Sequence, residues 1–578
     1  MSEDYDQVIA YHLRTKHRPR SMAPGPTGLD WSTQPDPFRR YEGAAEIPLS
    51  REGFHSQESG IEGTAEYITE YRTDCTKGPS PLNLMSLSQL FFESLAISGQ
   101  KSLARARWFL RVNPSSGNLH PTEAYLIAGP FDASYPALSP GLYHYSPKIH
   151  ALEKIAGMEE SSWQALGLAR GTLLLALTSI YWRQSWKYGE RGFRYSMLDL
   201  GHAMAAVAVA ARCLGWQAQL EDDLGTDDLT ALLGLKDLIQ HSGNDLEDEH
   251  AGLLMTIRTD GSKNRLRLHL SNLSKLKFQR EPVRANVLSS GHVPWDWIEL
   301  ASEASKKQAA DNICSAICSA IRSDSSSLPG APEARNDSSC DPHTDPVARY
   351  GQVLRKRRSA QVMDGKSSMP KHSFFAILQD AMPRSSPFFL LPNRPSVHPI
   401  IFAHRVDDLE KGLYLWLRDD RRKEELKEAM REDFLWERPS RTPDDIKLYL
   451  LAQGDSRLAA KETSCRQNIA SDGCFAAAML AQFEEPLKEY GPWYYRRLFW
   501  ECGAIGQAFY LTAEAEGFQG CGIGCFFDDM VHTMLGLSGL KYQDLYHFTV
   551  GKAIADPRLI DLPAYERPPK KDQKNEMD

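Results

Sequence analysis

Tyr188-Gly189-Glu190-Arg191-Gly192-Phe193-Arg194 returns 302 residues later as Tyr490-Gly491-Pro492-Trp493-Tyr494-Tyr495-Arg496. The correspondence runs without a gap to Leu233-Gly234-Leu235 against Leu535-Gly536-Leu537. Twelve positions of the window are identical, among them Gly201/Gly503, Ala206/Ala508, Ala211/Ala513, Gly215/Gly517 and Asp227/Asp529. Ordinary composition gives ~3 by chance. Asp199/Glu501 and Trp216/Phe518 are conservative pairs between them. Two unrelated helices with similar turns would not hold one register over such a length, so the chain reads as a duplication.

Each copy has the same coarse pattern. A mainly apolar helix (Arg194–Leu214, Arg496–Glu516) stops at a glycine, the residue that best adopts a left-handed cap. A short strand and a second helix ending in Leu-Gly-Leu follow, and late strands at Gly252–Arg258 and Leu545–Val550 close each copy. Further strands are expected at Leu126–Gly129 and Leu413–Leu417, and an amphipathic helix over Leu84–Ser98. The fold class is therefore α+β, with two like halves facing each other as a two-fold dimer would.

Between the copies, Ser305–Pro346 carries Ser323-Asp324-Ser325-Ser326-Ser327 and Pro329-Gly330-Ala331-Pro332. Such composition cannot bury enough apolar surface to offset ordering entropy, so a linker is expected, with one helical turn around Ile313–Ile321. The expected divisions are an N-terminal extension (1–44), a first domain (45–300), a disordered linker (301–349), a second domain (350–565) and a disordered tail (566–578).

With 578 residues, 67 Lys plus Arg, 75 Asp plus Glu and a net charge of −8, the chain has the make-up of an ordinary globular protein. The acidic balance argues against nucleic acid or an anionic membrane as partner. No apolar run reaches the length of a bilayer crossing, and Met1–Asp6 is acidic rather than signal-like. Ten irregularly spaced cysteines suit reduced thiols and a cytoplasmic setting.

Four segments carry polar chemistry. Asn113-Pro114-Ser115-Ser116-Gly117-Asn118-Leu119-His120-Pro121 is a loop leading into a strand. Its hydroxyls and amide could bond a flat polar heterocycle, or form a plain turn. Arg355-Lys356-Arg357-Arg358-Ser359 offers guanidinium forks and a hydroxyl suited to a phosphate monoester, or a solvated basic patch. Gly520-Cys521-Gly522-Ile523-Gly524-Cys525 implies close backbone approach, either to a cofactor or to a neighbouring strand. It lacks the context of a dinucleotide fingerprint, and Cys521/Cys525 has no companion pair for zinc, so no metal site is expected. Lys187-Tyr188, in Trp182–Arg191, could form an acid/base pair if its surroundings lower their pKa values, or be a surface turn. His12, His17, His202 and His404 are scattered. Nothing marks a serine hydrolase or a P-loop.

In this order, the segments resemble the nitroreductase-like FMN flavoproteins, and more closely the SagB/ThcOx-type dehydrogenases that oxidise azolines in peptide natural products. The signatures are Arg357–Ser359, Pro114–Asn118 and Lys187–Arg191. Tyr11–His17 and Leu29–Arg39 are similar to the long, tandem-domain members. The resemblance implies tandem nitroreductase-like domains, each a mainly antiparallel sheet with flanking helices, forming an intramolecular pseudo-dimer. It implies FMN between the halves, its phosphate held by Arg357, Arg358, Ser359 and a late basic residue, Lys552 or Arg558. Pro114, Ser115, Ser116, Gly117 and Asn118 would contact the isoalloxazine, a backbone N–H near Cys521-Gly522 would address N5, and Lys187 and Tyr188 would accept protons. Gln361 stands where members usually place Arg or Lys.

The two halves divide these parts. Arg39-Arg40 in the first lacks the serine, and the loop around Pro392–His398 in the second lacks Ser-Ser-Gly-Asn. Glu489-Tyr490 replaces Lys187-Tyr188 in the second copy. One complete FMN site in a monomeric chain is expected, acting on a small heterocycle or azoline-like peptide, with NAD(P)H or O₂ as electron partner. The competing readings are an NAD(P)H-dependent nitro or quinone reductase and a flavin-binding or flavin-less scaffold.

Overall fold

The computed structural model describes residues 2–51, 78–104, 106–130, 138–169, 171–239, 245–262, 273, 275–309, 350–351, 353–383, 388, 390–391 and 394–565. The expectations for Ile313–Ile321, for 310–349 of the linker and for the 566–578 tail lie outside these residues.

Six strands in each half share one spatial order. In the first half it is Ala151–Met158, Gly141–Ser146, Thr122–Ala128, Thr172–Ile180, Glu249–Arg258, Gln217–Leu220. In the second it is Lys447–Gln453, Gly412–Leu417, Val397–Ala403, Phe475–Gln482, Tyr542–Gly551, Gln519–Ile523. Every one of these pairings is antiparallel. Thr172–Ile180 is buried along its whole length, which is why it reads as a continuous apolar run rather than an alternation. Glu46–Pro48 and Phe278–Arg280 widen the first sheet to eight strands.

The repeated helices run over Gly192–Cys213 and Tyr494–Ala515 and pack on each other between the sheets. Gly215 and Gly517, just past their ends, have φ of +74° and +78°, the left-handed cap that only glycine adopts at no steric cost. The identical pair Gly201/Gly503 lies where the helices cross. A Cβ on Gly201 would sit 2.3 Å from the Trp500 carbonyl oxygen, and one on Gly503 2.3 Å from that of Leu198. Backbone meets backbone there, and the halves join as two subunits would.

The helix expected over Leu84–Ser98 ends at Phe92. Glu93 caps it, and Ile97–Leu103 turns into a strand paired with Ala106–Arg111. The N-terminal extension holds a helix, Glu3–Arg14, that ties the halves together: Tyr11 donates to the Glu190 carbonyl at 2.6 Å, and His12 bonds Gln543 at 2.9 Å. A helix over Asp296–Ala304 crosses the boundary expected at residue 300. Ser305 beyond it is buried and accepts from Arg496 Nε at 2.9 Å, so the start of the serine-rich stretch is packed structure. No helix among the described residues is long and apolar enough to cross a membrane.

Candidate active site between the halves

A cavity of about 770 Å³ opens at the junction. The first half contributes Pro114–Asn118, Tyr188, Tyr195 and His202; the second contributes Arg357–Gln361, Tyr510, Cys521–Cys525 and Lys552. The sequence-predicted residues thus converge on one place, with two exceptions. Lys187 is not among the lining residues, its Nζ resting 5.4 Å from the centre of the Tyr188 ring. Arg558 is exposed and turned to Asp556, which accepts from its Nε and Nη2 at 3.0 and 2.7 Å. Of the two late basic candidates, Lys552 is the one at the cavity.

The loop is held from behind by Asp199, on the long helix. Ser115 Oγ donates to this carboxylate at 2.7 Å, the Ser116 N–H at 3.0 Å and Gln184 Nε2 at 2.8 Å. Burial raises the Asp199 carboxyl to about 7, although these hydrogen bonds oppose the shift. Ser116 Oγ donates to it as well, at 3.1 Å, so both serine hydroxyls have spent their donor on the protein and could offer a heterocycle only an acceptor. Gly117, Asn118 and His120 have φ of +64°, +59° and +51°, a strained run of the kind that surrounding structure must over-determine. In the second half Glu501 takes the place of Asp199, accepting from the Ser396 and Val397 N–H groups at 3.0 and 3.4 Å. There Ser396 directly precedes the strand Val397–Ala403, with no Ser-Ser-Gly-Asn before it. Pro392, where the counterpart was expected to begin, lies outside the described residues.

At the other end, Arg357 is buried and donates to the Arg111 and Val112 carbonyls at 3.1 and 3.3 Å. No carboxylate among the described residues forms an ion pair with it. Arg358 lines the cavity but spends its guanidinium on Ser98, Arg355 and Arg357. Tyr510, pushed up to about 12 by burial, bridges Ser359 and Gly522: its hydroxyl lies 2.8 Å from Ser359 Oγ and accepts from the Gly522 N–H at 2.8 Å. The Gly522 N–H, expected to address N5, is thus already bonded. The glycine is needed all the same, since a Cβ there would lie 1.8 Å from Tyr546 Oη.

Tyr188 does not meet the expectation of a proton acceptor. Burial raises its phenol, so it stays protonated, whereas burial lowers the neighbouring Lys187. Several residues enter the site without having been singled out. His202 bonds Gln507 and Tyr546, each at 3.2 Å, and burial lowers it to about 3. Asp199, Arg111 and Tyr510 enter likewise; His120 stood in the quoted loop, and the Asp199/Glu501 match in the repeat was the signal that pointed to Asp199.

The residues present fit FMN. His120 Nδ1 and Arg111 Nε are buried at the cavity without a hydrogen-bond partner, the state expected of groups that a ligand satisfies. A buried guanidinium with Glu514 near it but no carboxylate in ion-pair contact suits a phosphate. The place related by the repeat is closed. Gly522 becomes Leu220, Gly524 becomes Asp222 and Tyr195 becomes Arg497. Arg497 Nη1 pairs with Asp222 at 2.8 Å, Lys307 lies over Trp493, and about 30 Å³ remains. In the first half Arg39 is spent on Glu249, at 3.2 Å, and on two carbonyls, which leaves it nothing for a phosphate. Among the described residues no group of three His, Cys, Asp or Glu is placed to hold a metal.

Known proteins share both the pattern and the fold. The family model described as the nitroreductase family matches residues 100–242 and 354–552. The chain belongs to the nitroreductase family. A Methanocaldococcus jannaschii protein named as a nitroreductase is 28% identical over 142 residues, 24% of this chain and 66% of that protein. The trifolitoxin-processing protein TfxB of Rhizobium leguminosarum bv. trifolii is 33% identical over 113 residues, 18% of this chain and 29% of that protein. The chain thus spans less than two thirds of the length of either relative. A crystal structure named as a nitroreductase, from Anabaena variabilis, superposes with a TM-score of 0.64 at 20% identity, covering 95% of this chain and 99% of that one. The two-halved fold is therefore shared along nearly the whole nitroreductase-family chain.

Proposed function

We propose that this nitroreductase-family protein is an FMN-dependent oxidoreductase with one active site per chain, a cytoplasmic SagB-type dehydrogenase of a small heterocyclic or azoline-like peptide substrate. The observation that carries the reading is the asymmetry of the halves: about 770 Å³ beside a buried Arg357 that makes no ion pair among the described residues in one place, about 30 Å³ sealed by Asp222 and Arg497 in the other. Arg357, Ser359 and Lys552 would hold the phosphate, and the loop with His120 would meet the ring. Bound there, FMN would supply hydride transfer. The chain's own residues then do three things. Asp199 fixes the loop through Ser115 and Ser116. The protonated Tyr188, whose hydroxyl abuts Gly117, can donate a hydrogen bond into the cavity. Lys187, lowered by burial, is unprotonated more of the time than an exposed lysine at the same pH and so is more available as a base, provided it swings towards the cavity. The match to a toxin-processing protein favours a peptide substrate over a free nitro compound.

The test is the flavin content of the purified chain, read from its absorbance spectrum and from released FMN. About one FMN per chain is expected, falling to near zero in the Arg357→Ala/Ser359→Ala double variant. Full occupancy in that variant would remove the phosphate assignment, and two FMN per chain would remove the single-site reading. Bleaching of the bound flavin by NADPH, with no reduction by azoline peptides, would favour the nitro or quinone reductase instead.

A further inference from the structure

Cys521 and Cys525 share a glycine-rich segment, yet the structure pairs neither with the other. Cys525 meets Cys465, sixty residues earlier in the chain, with the two Sγ atoms 2.9 Å apart. That is within about 1 Å of a bonded disulfide separation. Both residues are partly exposed, and Cys525 lines the cavity. Cys465 and Arg466 occupy the left-handed region, φ +51° and +60°, in the turn between the helices Arg457–Thr463 and Asn468–Asp472. Gln467 ties this turn to the other segment by donating to the Cys525 carbonyl at 2.8 Å. The Phe527 N–H adds a backbone tie by donating to the Thr463 carbonyl at 2.8 Å, so the contact is held from both flanks. The Arg191 guanidinium lies 4.8 Å from the centre of the adjacent Phe526 ring and is paired with Asp528 at 2.9 Å, so opposite charges flank the contact.

We propose that Cys525 and Cys465 form a dithiol site at the rim of the cavity that reacts with small hydroperoxides, Cys525 as nucleophile and Cys465 as resolving thiol. The Cys525 thiolate attacks the peroxide oxygen, the O–O bond breaks, and the leaving alkoxide or hydroxide takes a proton to give alcohol or water. Cys525 is then a sulfenic acid. The Cys465 sulfur attacks it, the sulfenic hydroxyl leaves as water with the Cys465 proton, and the S–S bond forms. Two thiols are oxidised by two electrons and one peroxide is reduced. The assignment of roles agrees with the electrostatics. The hydrogen bond to Cys465 brings Cys525 down to about 7 while Cys465 is raised, so the thiolate forms on the cavity side. Cys521, raised to about 12 by burial, and the fully buried Cys502 are poor competitors. The product disulfide would staple the 464–467 turn to the Gly524–Phe526 wall of the cavity.

The experiment uses the full, reduced chain treated with stoichiometric hydrogen peroxide, followed by mass spectrometry of non-reduced peptides. A peptide joining Cys465 to Cys525, lighter by two hydrogens, is expected, and in Cys465→Ser a dimedone adduct accumulates on Cys525 instead. Absence of the joined peptide, or Cys525 oxidising no faster than Cys521 in the wild type, would overturn the proposal. Should Cys465→Ser fail to fold, the pH dependence of iodoacetamide labelling on the wild-type chain decides: half-maximal labelling of Cys525 near pH 7 supports the site, and a midpoint at the ordinary thiol value refutes it. Flavin content takes no part in any of these readouts.

Discussion

Among the residues at the cavity, His120 has a protonation pattern that its neighbours dictate. Asn118 Nδ2 donates to the Phe109 carbonyl at 2.7 Å, which turns Asn118 Oδ1 towards His120 Nε2, 2.9 Å away. An amide oxygen only accepts, so Nε2 must carry the hydrogen. Burial, with Arg111 and Arg183 close by, holds the imidazole pKa well down and the ring neutral. Nδ1 is then a bare acceptor, buried and without a partner. A ligand can satisfy it with an N–H or O–H donor, and the FMN of the proposed function has one ring N–H in its oxidised form. His120→Leu removes the acceptor, and FMN affinity is expected to fall about tenfold, the worth of one hydrogen bond to a buried group. Flavin fluorescence titration measures this, and an unchanged affinity would take His120 out of the site. The loop itself was legible from its turn residues. The role of His120 was not, because it depends on where Asn118 points and on two arginines distant in the chain.

At the scale of elements, the helix crossing shows what a repeat can and cannot reveal. Gly201 and Gly503 stood out as identical positions, and the caps at Gly215 and Gly517 were readable from the ends of the apolar runs. That the first two glycines face each other was not readable, since periodicity gives a face but no partner. With 2.3 Å between a built Cβ and the Trp500 carbonyl oxygen, Gly201→Ala must push the helices apart along an otherwise close-packed contact. The gain in helix propensity, about 1 kcal/mol, is too small to compensate. Overpacking of this kind costs about 1–3 kcal/mol, and the thermal midpoint should fall by several degrees. Gly28→Ala, with nothing within 4 Å of its Cβ, is the matched control and should leave the midpoint unchanged. The strand at Ile97–Leu103 was missed for a related reason. Its partner, Ala106–Arg111, comes after it in the chain, and the preceding apolar helix masks the change of period.

For the whole molecule, buried histidines of opposite kinds set the range of pH over which the fold is most stable. His144 lies between Glu123 and Glu153, at 3.1 and 2.7 Å. Burial opposes its protonation, but the hydrogen bonds and charges of the two carboxylates prevail and raise it to about 9. A folded pKa above the unfolded value of ~6.5 gives stability that is complete below that value and lost as pH rises through the folded one. The loss amounts to about 3 kcal/mol by pH 9. His202 and His398 behave in the opposite sense. Burial lowers each to about 3, so their contribution is complete above ~6.5 and declines as pH falls towards the folded pKa. These histidines place the peak near pH 6.5 with a fall on both sides, and Asp199, raised to about 7, makes the acid arm shallower. Urea unfolding at pH 5, 6.5 and 9 measures the two arms. His144→Gln should lower stability overall and flatten the alkaline arm while leaving the acid arm intact. An alkaline slope that persists in this variant would mean that a group other than His144 releases its proton between neutrality and pH 9.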